Sequence, residues 1–362
     1  MRRLILAALM LLASALPGAA QNTLHVFNWS DYIDPYMVDR FQRETGIRIR
    51  YDVYDSLETL EARLSAGRSG FDIIVPTSEP TFARLVRAGA LRPLDMSLIP
   101  NARHLDPELM ARVAAVDPGN RHGVIYLWGT VGLGIRPDRI RALAPDAATD
   151  SLSLLLDPAN ARRLARCGIA VMDSATDVLP SVLRYLGRNP DSGEQADLRA
   201  AEQALLAIRP FLRAIPPSSA IVDALANGEL CLALSYSGDV IQAASRAREA
   251  NRPFEIRYIA PREGAQLWFD MLAIPADAPN PEAAHRFINF LLQPEVMANI
   301  TNHVRYPSAV PAARALLSPD VANDPSVYPD PAALAQAFVA GTPPPAVERA
   351  RARLWSRFKG GR

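Results

Sequence analysis

The stretch LHVFNWSDYIDP, Leu24–Pro35, sets an alternating apolar run directly before a cluster of polar and aromatic residues. The alternation of LHVFN is typical of a β-strand, and the segment DPYMVDRFQRETG that follows carries apolar residues at near-helical spacing. The cluster NWSDY therefore lies where a strand ends and a helix begins. Two roles are open for it: Ser30 or Asp31 caps the helix, or the cluster forms one wall of a binding site.

The same order of strand and helix is repeated twice more along the chain. IRIRYDV (residues 47–53) alternates, and FDIIVP (residues 71–76) is a short apolar run typical of a strand that is buried on both faces. Each run is followed by a helical pattern that ends at a glycine. The repetition predicts an α/β lobe with a parallel-type sheet. Because ligands of such sheets bind outside the carboxyl ends of the strands, NWSDY and PTSE (Pro76–Glu79) should face one crevice.

A second α/β pattern runs from about residue 150 to 250. Its strands are GIAVMD (Gly168–Asp173) and ELCLALSYSGD (Glu229–Asp239), and a later strand, QLWFDMLAIP (Gln266–Pro275), leads into a long amphipathic helix that begins near Pro281. About 340 residues follow the first twenty, which is more than one ordinary hydrophobic core holds. The sequence therefore predicts two lobes.

The first twenty residues have the layout of a secretory signal peptide, which we place at residues 1–20. Arg2 and Arg3 precede the apolar run LILAALMLLASAL and the small-residue segment PGAA, and cleavage is expected after Ala20. The apolar run is shorter than the roughly 20 residues that a transmembrane helix needs. No cysteine follows it, so a lipid anchor is not indicated. These features predict a soluble exported chain.

Composition excludes several classes of function. The 39 basic and 38 acidic residues nearly balance, which argues against a nucleic-acid binder. The one lysine, Lys359, lies near the C-terminus, which excludes a pyridoxal Schiff base and a phosphate-loop motif. No two of the five histidines have the spacing of metal ligands, and the chain lacks a G-x-S-x-G elbow. Neither an enzyme nor a metal or cofactor site is expected.

Cys167 and Cys231 in an exported chain favour a disulfide, with two buried free thiols as the alternative.

An aromatic residue stands close to a carboxylate at three predicted strand ends. An aromatic face attracts a cation within about 6 Å, and a carboxylate accepts its N–H bonds, so this combination suits an organic cation. Any one pair alone is more often part of the surface or the core. The three pairs are Trp29 with Asp31, Tyr236 with Asp239, and Trp268 with Asp270.

Several longer motifs resemble those of the periplasmic polyamine-binding proteins, most closely the putrescine receptors of ABC uptake systems. They are LHVFNWSDYIDP, GFDIIVPTS, LRPLDMSLIPN, DALANGELCLALSYSGDVIQA, FDMLAIPADAPNPEAAHRFINFLLQPEV and NHVRYPSA, and they cover nearly the whole exported chain in order. The resemblance implies an α/β, two-lobe type II periplasmic binding protein fold with a hinged ligand cleft. We expect lobe 1 to comprise residues 22–132 with 254–304, and lobe 2 to comprise residues 133–253 with 305–362 packing on it.

The resemblance also implies a set of ligand-binding residues and pairs Cys167 with Cys231 in a disulfide. The implied ligand contacts are Trp29, Ser30, Asp31, Tyr32, Ser78, Asp177, Ser218, Tyr236, Asp239, Trp268, Asp270 and Tyr306.

Four departures from the family pattern bear on which amine is bound. Tyr236 stands where the putrescine receptors have tryptophan, and Asp177 stands where they have glutamate. The loop PTSEPTF is one residue longer than usual, so that Glu79 adds an acid or displaces Ser78. Arg305 precedes the last tyrosine of the set, and strand alternation would point it away from the site.

Together these features predict a monomeric periplasmic receptor without cofactor, metal or nucleic-acid partner. Its expected ligand is a polyamine, putrescine first and spermidine or another organic cation second, which it delivers to the permease and ATPase of an ABC importer. An amine-sensing subunit with the same pocket is one alternative. An enzyme acting on an amine in the same cleft is another.

Overall fold

The computed structural model describes residues 22–65 and 67–361, and the predicted signal peptide lies outside them. No helix of this described part is long and apolar enough to cross a membrane. Within these residues nine strands join in one hydrogen-bonded sheet with the order β2-β1-β3-β8-β4-β6-β5, to which β7 adds beside β4 and β9 beside β8. The strands are β1 Thr23–Trp29, β2 Arg48–Tyr54, β3 Ile73–Ile74, β4 Gly123–Ile135, β5 Ile169–Val171, β6 Leu232–Tyr236, β7 Arg257–Ile259, β8 Gln266–Ala273 and β9 Phe338–Val339.

Helices connect these strands, and many begin with proline, whose fixed φ suits the first helical position. The helices are α1 Pro35–Thr45, α2 Leu57–Ser65, α3 Ala83–Arg87, α4 Pro107–Val113, α5 Pro137–Leu143, α6 Ser153–Leu156, α7 Pro158–Leu164, α8 Ala175–Tyr185, α9 Gln195–Ile208, α10 Ser218–Ala226, α11 Ser237–Glu249, α12 Pro281–Leu291, α13 Pro294–Val304, α14 Pro319–Ala322, α15 Pro331–Gln336 and α16 Pro345–Gly360.

Helix α1 begins later than the capping alternative requires. Its N-cap is Asp34, whose side chain accepts a hydrogen bond from Tyr36 N at 2.9 Å. Capping of this helix by Ser30 or Asp31, one of the two alternatives that the sequence left open, is therefore wrong, and both residues are left for another role.

The sheet has two halves with parallel pairing inside each. β1 pairs in parallel with β2 and with β3, as the repeated strand-helix order predicts, and β5 pairs in parallel with β6. The carboxyl ends of β1 and β3 thus lie at one edge of the first half. Those of β5 and β6 lie at one edge of the second half.

Strands β4 and β8 connect the two halves. They pair in antiparallel fashion from Gly123 with Ala273 to Val131 with Gln266, with an irregularity between Ile125 and Trp128. β8 also pairs with β3, whereas the second part of β4 pairs with β6 and β7. Every residue of β4 is buried, so this strand lies in the core of both halves.

A disulfide joins Cys167 to Cys231, with their Cα atoms 5.6 Å apart. The pairing implied by the family resemblance is therefore confirmed. The two cysteines directly precede β5 and β6, which are parallel neighbours. The crosslink ties together the starts of the two strands whose opposite ends carry predicted site residues.

The C-terminal segment divides between the two halves of the sheet. The 3₁₀ helix Pro311–Leu316 packs on α13, which contacts α1 of the first half, and Asp106 N donates to Ala309 O at 2.8 Å. The packing of residues 305–362 on lobe 2 stays a prediction. Helix α16 packs on α8 and α9, and Lys359 Nζ donates to Asp173 Oδ2 at 2.9 Å. The lobe boundaries themselves stay a prediction.

Candidate functional site

A cavity of about 780 Å³ lies between the two halves of the sheet. The loops after β1, β3, β5 and β6 all contribute to its walls. Side chains of β8 also line it. Strand order explains this convergence, because the carboxyl ends of parallel strands meet at a common edge. The expectation that the segments after β1 and β3 face one crevice is confirmed.

Eleven of the twelve predicted site residues line this cavity, and the exception is Ser78. Ser78 is buried at the start of the π-helical turn Ser78–Phe82, whereas its neighbours Thr77 and Glu79 line the cavity. The lining residues that were predicted are Trp29, Ser30, Asp31, Tyr32, Asp177, Ser218, Tyr236, Asp239, Trp268, Asp270 and Tyr306. Contact of each with a ligand stays a prediction.

Asp270 lies on β8, in the middle of the cavity wall. It is only 4% exposed, and Thr77 Oγ1 donates to its Oδ1 at 2.6 Å. Burial raises the pKa of Asp270 to about 7, although the hydrogen bond from the hydroxyl of Thr77 favours the ionised form. An ionised Asp270 in this position therefore needs a cation nearby.

Asp239 is the third residue of α11, the helix that follows β6. Tyr306 Oη donates to its Oδ1 at 2.7 Å and accepts from the backbone N of Asp239 at 3.1 Å. Gly238 permits this approach, because a Cβ at that position would overlap the ring of Tyr306. The other oxygen, Oδ2, is buried and has no hydrogen-bond partner in the described part of the chain. Desolvation raises the pKa of Asp239 to about 6.

Asp177 is the third residue of α8, the helix that follows β5. Its Oδ2 accepts from Tyr236 Oη at 2.7 Å and also from Ser174 Oγ, and its Oδ1 accepts from Gln266 Nε2 at 3.0 Å. Desolvation raises the pKa of this carboxyl, while the hydroxyl donors oppose the shift. Both oxygens of Asp177 are thus already engaged by the protein.

Four aromatic rings form a continuous wall between these acids. The ring of Trp268 lies 5.7 Å from that of Tyr236 and 5.2 Å from that of Tyr306, and the ring of Tyr306 lies 5.4 Å from that of Tyr32, all measured between centroids. A Cβ on Gly129 would overlap the Trp268 indole, so glycine there lets the indole lie on β4. The wall offers apolar surface for methylene groups and aromatic faces for a cation.

Ion pairs bridge the rim of the cavity at two places. Arg246 of α11 lies 3.4 Å from Asp31 in the loop after β1. Arg84 of α3 pairs with Glu61 of α2 and with Glu348 of α16. The Arg246–Asp31 and Arg84–Glu348 pairs join elements of the two halves of the sheet, whereas the Arg84–Glu61 pair lies within the first half.

The lining has many more acids than bases. Arg84 and Arg351 are its basic residues, and Arg84 is paired as described above. The carboxylates are Asp31, Asp55, Glu58, Glu61, Glu79, Asp173, Asp177, Asp239, Asp270 and Glu348. This excess favours a cationic occupant. No cluster of potential metal ligands occurs among the described residues.

Sequence reasoning missed several polar residues of the lining, among them Thr77 and Gln266. Gln266 shares one face of β8 with Trp268 and Asp270, because residues two apart in a strand point to the same side. That alternation is a signal that could have identified it. Arg305 points away as expected, but it lies at the end of α13 rather than in a strand, and its Nη1 bonds Asp320 Oδ2 at 2.8 Å.

The sequence of the chain matches the model of a known family. A family model described as bacterial extracellular solute-binding protein matches residues 36–329. The chain belongs to this family. The predicted family is thereby confirmed, as is the prediction of a binding protein rather than an enzyme.

Relatives with known names are similar over nearly their whole length. The chain is 44% identical to the putrescine-binding periplasmic protein SpuD of Pseudomonas aeruginosa, over 97% of this chain and 96% of SpuD. It is 42% identical to the putrescine-binding periplasmic protein PotF of Escherichia coli, over 99% of this chain and 97% of PotF. The solved structure of the spermidine/putrescine ABC transporter substrate-binding protein PotD from Streptococcus pneumoniae has a TM-score of 0.78 at 26% identity, over 94% of this chain and 99% of that one. The predicted α/β, two-lobe type II periplasmic binding protein fold is confirmed.

Proposed function

We propose that this protein captures a polyamine, putrescine first, in the periplasm and delivers it to the permease and ATPase of an ABC importer. The observation that carries the proposal is a set of three carboxylates with raised pKa values in one cavity, Asp177, Asp239 and Asp270. No lysine or arginine side chain in the described part of the chain forms an ion pair with any of them. Because an enclosed carboxylate is unfavourable without a cation, the cavity suits a ligand that supplies one.

The two ends of a diamine would meet different parts of the cleft. One ammonium group would donate to the unpartnered Oδ2 of Asp239, and Asp270 would hold positive charge on β8. The methylene chain would lie along the rings of Trp268 and Tyr306, where apolar contact replaces water. Spermidine or another organic cation is the second choice for the same site.

Two features support periplasmic capture and release. The relatives SpuD and PotF are named periplasmic proteins, and the Cys167–Cys231 disulfide is typical of an oxidising compartment. The halves of the sheet are joined by β4 and β8 and bridged at the rim by ion pairs such as Arg246 with Asp31. Hinged opening would break those pairs and expose the ligand to a permease.

Calorimetric titration of the purified protein against putrescine, spermidine, glutamate and glycerol tests the ligand class. Binding of the amines alone is expected, together with a stabilisation of about 2.7 kcal/mol at a hundredfold excess over Kd. Absence of binding to every amine would refute the proposal. Delivery is tested separately, by uptake of labelled putrescine into vesicles that contain the permease and ATPase, with and without this protein.

A further inference from the structure

Gln266 is a buried residue of the cleft wall for which the proposed function has no role. It is 5% exposed, lies at the start of β8 and lines the cavity. Its Nε2 donates to Asp177 Oδ1 at 3.0 Å and lies 3.4 Å from the backbone oxygen of Thr176. Because both neighbours of this nitrogen accept hydrogen bonds, they fix the orientation of the amide.

The fixed amide leaves its carbonyl oxygen, Oε1, without a hydrogen-bond partner in residues 22–65 and 67–361, although the atom is buried. A buried acceptor without a donor is unfavourable, so an occupant that brings N–H groups relieves it. An ammonium group carries three donors and no acceptor. The other unpartnered buried atoms of the lining are Tyr32 Oη, Glu79 Oε2, Asp239 Oδ2, Trp268 Nε1 and Arg351 Nε.

We propose that Gln266 is a specificity-determining ligand contact whose Oε1 accepts an N–H from the ammonium group at the Asp177 end of the cleft. This inference rests on the proposed function and deepens it, since it adds Gln266 to Asp270 among the groups that would receive the second amine. Asp177 already accepts four hydrogen bonds, about as many as a carboxylate takes, and its donors are Ser174, Thr176, Tyr236 and Gln266. Asp177 is then a positioning residue that holds the Gln266 amide and the Tyr236 hydroxyl in place.

The consequence for specificity is a cleft with two chemically different ends. Asp239 offers a charged acceptor, and Gln266 offers a neutral one in front of an acid that is already bonded. A second amine binds at the Gln266 end through hydrogen bonding, supported by the charge of Asp177 behind it. The substrate class is therefore an amine with N–H donors at both ends.

The variant Gln266→Met tests the contact, because methionine keeps the length of the side chain and removes both the oxygen and the nitrogen of the amide. Gln242→Met is the matched control: Gln242 also lines the cavity, but its Nε2 donates to Val304 O at 3.1 Å and its Oε1 is not an orphan buried acceptor. In calorimetric titrations with putrescine, Gln266→Met should weaken binding about 10-fold to 100-fold. Gln242→Met should stay within about threefold of the parent.

A double-mutant cycle separates a ligand contact from a purely structural role. If Oε1 contacts the ligand, Gln266→Met weakens binding about tenfold or more in the Asp177→Asn background as well. Loss of the effect in that background overturns the contact, because Gln266 would then act only by holding Asp177. Equal affinities of Gln266→Met and Gln242→Met also overturn it. A parent protein that binds no amine refutes the proposed function instead.

Melting temperatures of the ligand-free variants show whether a loss of putrescine affinity results from misfolding. Gln266→Met should melt close to the parent, because Ser174 and Tyr236 still bond Asp177. If Gln266→Met does not fold, Gln266→Asn takes its place. Asparagine keeps the amide but withdraws it by one methylene, so the same loss of putrescine affinity is expected, and its absence overturns the proposal.

Discussion

The Asp239–Tyr306 and Asp177–Tyr236 pairs both contact the Trp268 ring through their tyrosines and are built on the same hydrogen bond. In each pair the tyrosine hydroxyl donates to a carboxylate oxygen at 2.7 Å. Each acid is also the third residue of a helix that follows a strand of the second half of the sheet. At that position the amino end of the helix favours a negative charge.

The pairs differ in what the second carboxylate oxygen does. In Asp239 it has no partner in the described chain, whereas in Asp177 it accepts from Gln266. The same local motif therefore provides an open acceptor in one place and a closed hydrogen-bond network in the other. The role of a buried acid depends on the bonding capacity that its neighbours leave free.

The largest expected effect is that of Asp239→Asn, which removes the open acceptor. Putrescine binding should weaken about 100-fold to 1,000-fold, because an ammonium group would be buried without its anion. The ligand-free protein should melt at or above the temperature of the parent, since an unpaired buried charge is gone. Calorimetry and thermal melts measure the two quantities. Parent-like affinity would show that Asp239 does not hold the amine.

Acidification should weaken binding next most strongly. Burial raises the pKa of Asp239 to about 6 and that of Asp270 to about 7, so these acids take up protons as the pH falls through that range. The amine binds the ionised forms, and the Kd for putrescine should rise about tenfold or more between about pH 8 and pH 5. Titration across this range measures the shift.

In the ligand-free protein, the same raised pKa values have the opposite effect: a fall in pH increases stability, whereas it weakens ligand binding. The folded state binds more protons than the unfolded state between the ordinary carboxyl pKa and the raised values, so the contribution of these groups to stability grows as pH falls. In Asp239→Asn this pH-dependent contribution to stability should shrink. For binding, a Kd for putrescine that is independent of pH between about pH 8 and pH 5 would contradict the role of both acids.

Asp177→Asn should have a smaller effect than Asp239→Asn, about 10-fold to 30-fold on the Kd for putrescine. The substitution removes a negative charge behind the amine and disturbs the donors Ser174 and Tyr236, but it leaves the open acceptor intact. Parallel titration of the two variants gives the ratio directly. Equal losses of putrescine affinity in Asp177→Asn and Asp239→Asn would show that the two ends of the cleft are equivalent.

The two tyrosines provide the finest comparison. Tyr306→Phe should weaken putrescine binding about fivefold, because the acid that holds the amine loses a donor and its pKa rises further. Tyr236→Phe should weaken it only about twofold, because Ser174 and Gln266 still bond Asp177. Both phenylalanine variants keep the ring contacts with Trp268. If Tyr236→Phe weakened putrescine binding more than Tyr306→Phe, the result would place the ligand against Asp177.

Local sequence patterns predict most of the site, because they mark strand ends. NWSDY, SYSGD and LWFD each combine a strand with an aromatic residue and an acid, and the fold brings all three to one cavity. The loop PTSEPTF was harder, since three polar or acidic residues follow one another and only the π-helical turn decides that Thr77 and Glu79 face inward while Ser78 does not.

The state of Asp177 could not be predicted from any local pattern. Its partners Tyr236 and Gln266 are 59 and 89 residues away in sequence, and they come together only because β6 and β8 pair with β4 on either side of Val131. Sequence analysis searched for charges and aromatic rings, so a neutral amide was overlooked. A strand that contributes one site residue should be read at every second position.

The position of Lys359 has a practical consequence. It is the single lysine of the chain, its ammonium group bonds Asp173 of the cavity lining, and its side chain is 43% exposed. An amine-reactive fluorophore therefore has one side-chain attachment point, beside the loop that follows β5. Labelling there needs no added cysteine, which would compete with the Cys167–Cys231 bond during oxidation. The native chain thus offers a ready scaffold for an optical sensor whose emission follows occupancy of the cleft.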